Sequence, residues 1–480
     1  MAERYWFETL GCPKNQVDSE KLAGTLLAGG YRPAGSLAEA DLVVVNTCAF
    51  IEAARQESVD VILELAETRR EGARLVVTGC LAERHGAELA RSMPEVDLVV
   101  GLGVPVALKR RPAGRALRGS VAGVTKVRTR ASGTEGVSTL STEGAINVGT
   151  SADDDAHDEV IHSFDLLNLP RPPVRAPWAY VKVGEGCDRH CGFCAIPQFR
   201  GRQRSRSAEA ILREVEALGD DVREVVLVAQ DLSSWGLDRS APGPARRARY
   251  TPRPIIGLLH EVRERVERVR LLYLYPSSLD DALVEAIVST GVAYFDLSLQ
   301  HVSRPLLRRM RRWGDGERFR DQLAVIRAIA PDAALRSSFI VGYPGETEED
   351  HDRLLEFLEE AQLDWAGFFT FSEEAGTYAA GLLEKVPTAL ALERLRECSE
   401  TQDAITAAKR ATLVCERVSV LVDEPGTGRS HREAPEIDGV VHVPRDLQVG
   451  VIEELLVTGA AGPDLWAEQV PVPCVAGGAG

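Results

Sequence analysis

The sequence predicts a multidomain α/β protein that ends in a small all-β module. Three observations indicate this fold class. Residues 1–104 alternate short apolar runs with segments of helical period, residues 176–410 contain six further apolar runs followed by helical stretches, and residues 411–480 switch to short alternating runs between Gly and Pro turns. A chain of 480 residues also exceeds what one hydrophobic core usually serves. We therefore expect several domains.

The first domain, residues 1–104, is predicted to be a doubly wound parallel sheet. Its apolar runs read "YWFETLGC", "DLVVVNTC", "RLVVTGC" and "VDLVVG", and the spans between them carry the 3.6-residue period of helices. Uninterrupted runs rich in β-branched residues are typical of strands that are buried on both faces. Such a pattern of strands and helices indicates βαβ units.

Residues 105–175 are predicted to form a flexible linker or insertion. Gly, Ser, Thr, Pro and Ala dominate this stretch, and no apolar period is sustained. Eight basic residues and no acid occur from Val104 to Arg130, whereas seven acids and no base occur from Ala131 to Val160. Blocks of like charge are usually solvated, although a structured insertion remains the alternative.

The central domain, residues 176–410, is predicted to be a parallel sheet that is either open or curled into a partial barrel of six βα units. Its apolar runs read "AYVKV", "EVVLVAQ", "RLLYLYP", "YFDLSLQ", "RSSFIVG" and "AGFFTFS". Polar residues follow the predicted strands, among them Cys187, Gln230, Gln300 and Glu374. In barrel-like α/β folds, the carboxyl ends of the strands carry the chemistry.

The carboxyl-terminal module, residues 411–480, is predicted to be a small barrel of about five strands. From Leu413 to Gly480, four arginines stand against eleven acidic residues, which gives a net formal charge of −7. The whole chain carries −16. Because binding to a polyanion needs clustered Lys and Arg, this composition disfavours nucleic acid and favours small molecules or basic proteins as partners.

The sequence predicts a cytoplasmic protein that is not anchored to a membrane. The start "MAERYWFETLGC" has no basic segment followed by an apolar run, and no uncharged apolar stretch of membrane-spanning length occurs. Six of the nine cysteines fall into two organised trios. In a reducing compartment, that usage indicates metal ligation and not disulfides.

The first trio occupies the loop "GEGCDRHCGFCAIPQFRGR", residues 184–202, as Cys187, Cys191 and Cys194. Thiolates are the ligands that iron–sulfur clusters and zinc prefer. Three thiols occupy three corners of a 4Fe–4S cube and leave one iron open for a ligand that is not protein. The alternative is a zinc site completed by His190, where the adjacent Cys191 makes the geometry cramped.

The second trio consists of Cys12, Cys48 and Cys80, each placed immediately after an apolar run. The carboxyl ends of parallel strands share one edge of a sheet, where such sheets bind ligands. The pattern therefore predicts a second three-thiol cluster, although each of these cysteines taken singly is also explained as a small buried hydrophobe. The remaining cysteines, Cys398, Cys415 and Cys474, follow no spacing rule and are expected to be structural.

The loop at Cys187, placed after the first strand of a βα array, resembles the radical S-adenosylmethionine (SAM) superfamily. Residues 336–350, "RSSFIVGYPGETEED", resemble that family's segment near the adenine and ribose. The resemblance implies that the reduced 4Fe–4S cluster cleaves SAM to methionine and a 5′-deoxyadenosyl radical, so no acid–base pair is required. The residues expected to contact the cofactor are Phe193, Gln230, Gln300, Arg336, Ser338, Gly342 and Gly345.

A wider set of motifs resembles the radical SAM methylthiotransferases. These motifs are "TLGCPKNQVDSE", "NTCAFIEAARQES", "TGCLAERH", "GCDRHCGFCAIPQFRG", "LQH" and "FIVGYPGE". The resemblance implies two 4Fe–4S clusters, one for radical generation and one for sulfur transfer, a carboxyl-terminal TRAM-like barrel, and an electron donor such as flavodoxin or ferredoxin.

Two substrate classes compete within that family, a transfer RNA adenosine and an aspartate of the twelfth small-subunit ribosomal protein. The stretch "GRSHREAPEIDGVV", residues 428–441, resembles the ribosomal-protein branch, and the acidic module favours a basic protein over tRNA. The expected product is a β-methylthio-aspartate, and tRNA is an unlikely partner. A non-catalytic iron–sulfur sensor that binds RNA is the alternative from another class.

Overall fold

The amino-terminal residues fold around five parallel strands in the order β2-β1-β3-β4-β5. The computed structural model describes residues 2–106, 164–239 and 253–469. The order 2-1-3-4-5 is that of a doubly wound sheet, and the predicted fold of this domain is confirmed. The elements are β1 (Arg4–Thr9), α1 (Pro13–Ala28), β2 (Arg32–Pro33), β3 (Leu42–Thr47), α2 (Glu52–Thr68), β4 (Arg74–Gly79), α3 (Cys80–Ser92) and β5 (Leu98–Val99).

The central strands of this sheet are buried on both faces. All six residues of β3, "LVVVNT", are buried, and so are the last five of β4. The order of the strands reverses between β1 and β3, because the chain leaves β1 on one side and returns on the other. Ligands bind outside the carboxyl ends of the strands at such a reversal.

The central domain is a partial barrel of six parallel strands. Two three-stranded sheets, ordered β10-β9-β6 and β11-β12-β13, meet through a parallel bridge between Leu274 and Leu297. The curled alternative of the prediction is therefore correct. Its elements are β6 (Trp178–Lys182), β7 (Gly184–Glu185), α4 (Ile196–Phe199), β8 (Arg204–Ser205), α5 (Ala208–Ala217), β9 (Glu224–Val228), α6 (Pro254–Arg263), β10 (Arg268–Leu271), α7 (Asp281–Val288), β11 (Tyr294–Gln300), α8 (Arg304–Arg309), α9 (Gly316–Ile329), β12 (Ala334–Val341), α10 (Glu348–Ala361), β13 (Trp365–Thr370) and α11 (Thr388–Ala411).

The interior of the partial barrel is a packed core that all three parts of the chain share. Tyr180, Val226 and Tyr294 from the strands belong to one buried cluster with Val17 of α1 and Ala434 of the carboxyl-terminal module. Burial of one such large apolar side chain stabilises a fold by about 1.5–3 kcal/mol. The parts are therefore joined by core packing and not only by surface contacts.

The carboxyl-terminal module is a closed five-stranded barrel in the order β14-β15-β16-β18-β17. This agrees with the predicted small all-β barrel, although the sequence pattern did not indicate two of its strands, β15 and β18. The elements are β14 (Arg417–Glu424), β15 (Thr427–Arg429), β16 (Val441–His442), β17 (Ile452–Ala461) and β18 (Asp464–Glu468).

Residues 429–438, which we call the closing segment, cover the end of the central barrel where its strands begin. Backbone oxygens of this segment accept hydrogen bonds from the barrel: Arg270 Nη1 donates to His431 O at 2.9 Å, Trp365 Nε1 to Arg432 O at 2.6 Å and Tyr180 Oη to Pro435 O at 2.9 Å. The stretch that carried the resemblance to the ribosomal-protein branch is thus largely occupied in closing the barrel.

The predicted 105–175 linker is described only at its ends. Near its carboxyl end, Leu166 and Leu167 are buried, and Leu167 O accepts a 2.6 Å hydrogen bond from Lys21 Nζ on α1. The prediction for residues 107–163, which hold nearly all of both charge blocks, lies outside the described residues. In the described ranges, no helix combines the length and the apolar character needed to cross a bilayer.

Candidate metal centres

The loop that carries Cys187, Cys191 and Cys194 is closed at its base by backbone pairing. Strand β7 pairs with β8 in antiparallel fashion, and Cys187 N donates to Gly201 O at 3.1 Å. Within the loop, Cys194 N donates to Cys191 O, and Gly192 N donates to Met310 O at 2.8 Å. The three thiols therefore sit on a pinned loop at the carboxyl end of β6, as the sequence predicted.

A glycine of special conformation precedes this trio. Gly186 has a φ of +76°, and a Cβ at that position would come within 2.2 Å of Arg202 O. Only glycine adopts this left-handed backbone without strain and also leaves room for the backbone at Arg202. This steric requirement explains why a glycine, Gly186, precedes Cys187.

Burial dominates the electrostatics of the loop trio. Loss of solvent raises the pKa of Cys187 to about 11 and that of Cys194 to about 12, and the neighbouring thiolates of the trio act in the same direction. Arg312 Nη1 lies 3.4 Å from Cys191 Sγ. A bound cationic metal centre deprotonates such thiols outright, so this donor set fits an iron–sulfur cluster.

The second trio is assembled by the topology of the amino-terminal sheet. Cys12, Cys48 and Cys80 directly or nearly follow β1, β3 and β4, which are neighbours in the sheet. The buried Asn15 side chain ties two of these turns together, because its Nδ2 donates to Leu10 O at 2.9 Å and to Thr47 O at 3.0 Å. Three thiols that lie far apart in sequence thus meet at one sheet edge.

Helix α2 fixes the position of Cys48. Ser58 Oγ accepts a hydrogen bond from Cys48 N at 3.1 Å, and its single hydroxyl hydrogen faces two acceptors, Ala54 O at 2.8 Å and Cys48 O at 3.1 Å. Ser58 is completely buried. On the other side, the backbone at Gly11 packs so closely that a Cβ there would lie 2.9 Å from Cys48 Sγ. The turn after β3 is therefore held from two sides.

The thiols of this second trio differ in their acidity. Burial raises the pKa of Cys48 to about 12, helped by the nearby thiolates of Cys12 and Cys80, and burial also raises the pKa of Cys80. Burial opposes ionisation of Cys12 as well, but the charges of Lys14 and Arg200 and two backbone N–H groups outweigh it and lower its pKa. Cys12 is thus the most readily ionised thiol of its trio.

Arg200 connects the two cysteine sites. It follows α4 in the loop of the first trio, and its Nη2 lies 2.9 Å from Cys80 Sγ and 2.7 Å from Asn15 Oδ1 in the amino-terminal domain. Its Nη1 donates to Asp18 at 2.9 Å and to Glu185 at 3.0 Å. One guanidinium therefore contacts both cysteine domains.

The charges around Arg200 are balanced by a buried network. Lys182 Nζ donates to Asp18 Oδ1 at 2.6 Å and also pairs with Glu185. Two cations, Lys182 and Arg200, thus face two carboxylates, Asp18 and Glu185. Burial opposes the charge of Arg200, but Glu185, the Cys80 thiolate and Asp18 raise its pKa well above its usual range. Arg200 is permanently charged.

The donor set of the two trios, three thiols each, fits iron–sulfur clusters. In the part of the chain that the structure describes, no three His, Cys, Asp or Glu side chains converge tightly enough to hold one metal ion. A 4Fe–4S cube does not require such convergence, because each thiolate binds a different iron. Lys14 and Arg200 beside one trio and Arg312 beside the other offset the charge of ionised thiols.

Three of the predicted cofactor residues are placed in the loop or at the ends of barrel strands. Phe193 is partly buried against the main core, and Gln230 Nε2 donates to Glu185 Oε1 at 2.6 Å. The other amide atom of Gln230, Oε1, is buried without a partner. Gln300 ends β11 with a φ of +74°, a strained conformation for a residue other than glycine. Strain of this kind clusters at functional sites.

The other four predicted cofactor residues are placed on β12 and the turn after it. Arg336 pairs with Asp296 at 2.9 Å and with Asp438 at 3.3 Å, so its guanidinium is engaged by the closing segment. Ser338 is partly buried in the middle of the strand. The turn glycines have structural neighbours, because a Cβ on Gly342 would meet Ala391 at 2.6 Å and a Cβ on Gly345 would overlap Arg309. A role of these residues towards SAM stays a prediction.

Two of the quoted motifs, "LQH" and "FIVGYPGE", meet in the fold. His301 Nε2 lies 3.2 Å from Glu346 Oε1, and Arg394 Nη1 donates to Glu346 Oε2 at 3.0 Å. His301 and Glu346 are both buried.

Another predicted polar position, Glu374 after β13, binds Arg55 and Arg84 of the amino-terminal domain.

Sequence reasoning missed the polar residues that connect the two trios. Asn15, Asp18 and Lys182 are buried polar side chains, a placement that periodicity does not reveal. Arg200 stood inside the quoted loop, six residues after Cys194. Apart from that placement, the sequence carries no signal that links Arg200 to the second trio.

A six-stranded partial barrel with a three-thiol loop at the end of its first strand defines the class as radical SAM enzymes. The sequence profile of the radical SAM superfamily matches residues 181–358. The uncharacterized protein family UPF0004 matches residues 4–101, and the TRAM domain matches residues 414–470. A solved structure of the cobalamin-dependent SAM radical enzyme OxsB is 11% identical, with a TM-score of 0.41, and the match covers 84% of this chain and 56% of that chain.

Curated relatives match nearly the whole chain. The ribosomal protein uS12 methylthiotransferase RimO of Anaeromyxobacter sp. (strain K) is 39% identical, with 97% of this chain and 93% of the relative covered. The RimO of Thermotoga petrophila is 35% identical, with 97% and 100% covered. The chain therefore belongs to the RimO family of radical SAM methylthiotransferases.

Proposed function

We propose that this protein methylthiolates the β-carbon of an aspartate in ribosomal protein uS12. The observation that carries the proposal is the pair of three-thiol sites, one on the barrel loop and one on the amino-terminal sheet edge, which Arg200 joins directly. Similarity over nearly the full chain to relatives named for uS12 supports the same substrate. The domain boundaries that we propose are 1–104, 105–175, 176–410 and 411–480.

The loop trio is proposed to bind the cluster that cleaves SAM. Membership of the radical SAM superfamily implies one iron–sulfur cluster and SAM, and Cys187, Cys191 and Cys194 are the thiols that fit it. When bound, this cluster supplies the electron that converts SAM to methionine and a 5′-deoxyadenosyl radical. The protein positions the reactants and excludes water.

The amino-terminal trio is proposed to bind a second 4Fe–4S cluster that serves sulfur transfer. Cys12, Cys48 and Cys80 offer three thiols, as the loop does, and the charge of Arg200 favours the ionised forms of Cys12 and Cys80 against the effect of burial. Two molecules of SAM are then used for each product, one as methyl donor and one as radical source. Flavodoxin or ferredoxin is the proposed electron donor.

The surface of the carboxyl-terminal module supports a basic protein as substrate. Glu424, Asp446, Glu454 and Glu468 are exposed, whereas Arg429 is buried in ion pairs with Asp423 and Glu224. A negative surface repels tRNA phosphates and attracts a basic ribosomal protein. We therefore rank tRNA below a ribosomal protein as the substrate. A ribosomal substrate is also consistent with a cytoplasmic location.

Anaerobic reconstitution with iron and sulfide, followed by dithionite and SAM, tests the enzyme class. We expect 5′-deoxyadenosine, and its absence would favour a non-catalytic iron–sulfur sensor. Mass spectrometry of uS12 and of tRNA from a deletion strain tests the substrate. The mass of one CH₂S unit should disappear from uS12, whereas its disappearance from tRNA adenosine would assign the chain to the tRNA branch.

A further inference from the structure

We propose that Arg200 is a positioning residue for the amino-terminal cysteine trio and that its guanidinium raises the reduction potential of the cluster held there. The inference rests on the proposed function, because it needs a cluster on Cys12, Cys48 and Cys80. It assigns to one side chain of the radical SAM loop a direct effect on the second metal centre.

The reach of Arg200 is fixed by the loop that carries it. Arg200 N donates to Ile196 O at 2.8 Å, which ends α4, and the neighbouring Gly201 O accepts from Cys187 N. Arg200 is thus anchored at the base of the three-thiol loop. Its side chain is 3% exposed and extends to Cys80 Sγ, 2.9 Å from Nη2. The backbone that holds one trio therefore places a cation on a ligand of the other.

The two terminal nitrogens of the guanidinium, Nη1 and Nη2, have different partners. Nη1 donates to Asp18 and Glu185, which Lys182 also binds, so those carboxylates keep a cation partner without Arg200. Nη2 instead donates to Asn15 Oδ1 and Cys80 Sγ. A purely structural ion pair would need only Nη1, whereas Nη2 contacts a cysteine of the proposed metal site.

The electrostatic consequence follows from burial. Hydrogen bonds to the sulfur ligands and nearby charge are the levers by which a protein sets the potential of an iron–sulfur cluster. One-electron reduction adds a negative charge, which a buried cation stabilises with little screening by salt. Removal of Arg200 should therefore make the amino-terminal cluster harder to reduce.

The test isolates the amino-terminal cluster in the full-length chain. The parent variant carries Cys187→Ala, Cys191→Ala and Cys194→Ala, and it is reconstituted anaerobically and titrated with dithionite under electron paramagnetic resonance. Into this parent we introduce Arg200→Gln, Arg200→Lys or, as matched control, Arg202→Gln. Arg202 lies in the same loop, but its side chain is 86% exposed and pairs with Asp188.

We expect Arg200→Gln to lower the equilibrium constant for reduction about tenfold, which corresponds to about 59 mV for one electron. Arg200→Lys, which keeps the charge, should recover most of this change, and Arg202→Gln should leave the potential of the parent unchanged. Equal potentials for the parent and Arg200→Gln, or an equal shift in the Arg202→Gln control, would overturn the proposal.

Two further results keep the test decisive. A parent that binds no iron at the amino-terminal trio would refute the second cluster of the proposed function, and that failure is distinct from an unchanged potential. If Arg200→Gln prevents folding, Arg200→Gln with Asp18→Asn removes one charge of each sign from the buried network. Its potential is then compared with that of Asp18→Asn alone, and equal values would again overturn the proposal.

Discussion

The two cysteine trios reach similar arrangements by opposite routes. Cys187, Cys191 and Cys194 lie within eight residues on one loop that backbone pairing closes. Cys12, Cys48 and Cys80 span 69 residues and meet only because β1, β3 and β4 are neighbours in a sheet. The first site is thus built into a local motif, whereas the second depends on the fold of a whole domain.

This difference predicts how each site fails. Loss of a loop cysteine should damage the loop site alone, because the ligands of the other site are carried by separate strands. A change in the core of the amino-terminal sheet should disperse the second trio and leave the loop intact. The substitutions below test that separation, from the largest expected effect to the smallest.

Substitution of Cys191 by Ala should abolish activity. We expect no 5′-deoxyadenosine above background and roughly half of the iron of the intact protein, because three thiolates are needed to hold the loop cluster. Iron analysis and chromatography of the SAM products measure both quantities. Cys398→Ala, which changes a buried cysteine of α11 outside both trios, should keep both clusters. Formation of 5′-deoxyadenosine by Cys191→Ala would refute the role of the loop.

Substitution of Gly79 by Ala should displace the thiols of the second trio, because Gly79 ends β4 directly before Cys80. Gly79 has a φ of +95°, and a Cβ there would lie 2.3 Å from Asn46 Oδ1 and 2.5 Å from Thr47 N. We expect a loss of about 3 kcal/mol in the free energy of unfolding, from backbone strain and overpacking together. The loop cluster should remain detectable after the amino-terminal cluster is lost.

The matched control for this prediction is Gly72→Ala. Gly72 also has a positive φ, +79°, but nothing lies within 4 Å of the Cβ position. Backbone strain alone should cost about 1–2 kcal/mol there, and both clusters should be retained. Equal denaturant midpoints for the two variants would contradict the steric explanation of Gly79.

Substitution of Ser58 by Ala should loosen the second trio more gently. The variant leaves Cys48 N without its hydrogen-bond acceptor in a buried turn, which should cost about 1–2 kcal/mol. Faster loss of iron from the amino-terminal site to a chelator is the expected readout. Thr68→Ala on the same helix removes only an exposed hydrogen bond to Glu64 O and should change stability by about 0.5 kcal/mol or less. Equal rates of iron loss would contradict the prediction.

The smallest predicted effect concerns the acidity of the thiols in the cluster-free protein. Because the pKa of Cys12 is lowered, its thiolate fraction at a given pH exceeds that of Cys187 or Cys194, whose pKa values are raised. Alkylation followed by mass spectrometry should therefore modify Cys12 at lower pH. Lys14→Met should move the Cys12 profile to higher pH and leave that of Cys187 in place. A Cys12 profile that coincides with that of Cys194 would refute this assignment.

Much of the fold could be predicted from the sequence because its signals are local. Apolar runs marked all six barrel strands and the main strands of the amino-terminal sheet, and Gly and Pro turns marked the carboxyl-terminal barrel. Strands β2, β15 and β18 were missed. Strands β2 and β15 have only two or three residues and carry no period, and β18 has only five. The choice between an open and a curled central sheet depended on the bridge between Leu274, which follows β10, and Leu297 in the middle of β11.

The candidate sites were predictable as far as strand ends and spacing determine them. Equivalent positions after β1, β3 and β4 were enough to indicate the second trio. The network of Asp18, Lys182, Glu185 and Arg200 was not, because a buried ion pair depends on which side chains face each other across two domains. Arg336 illustrates the same limit: the strand position was readable, but its partner Asp438 comes from another module.

The closing segment makes the carboxyl-terminal module inseparable from the catalytic barrel. Its backbone carbonyls accept hydrogen bonds from Arg270 and Trp365 of the barrel, and its Glu433 binds Arg410 of α11. The module is therefore held in one position and orientation relative to the barrel. A protein that bound to it would be presented to the barrel at one distance and one angle.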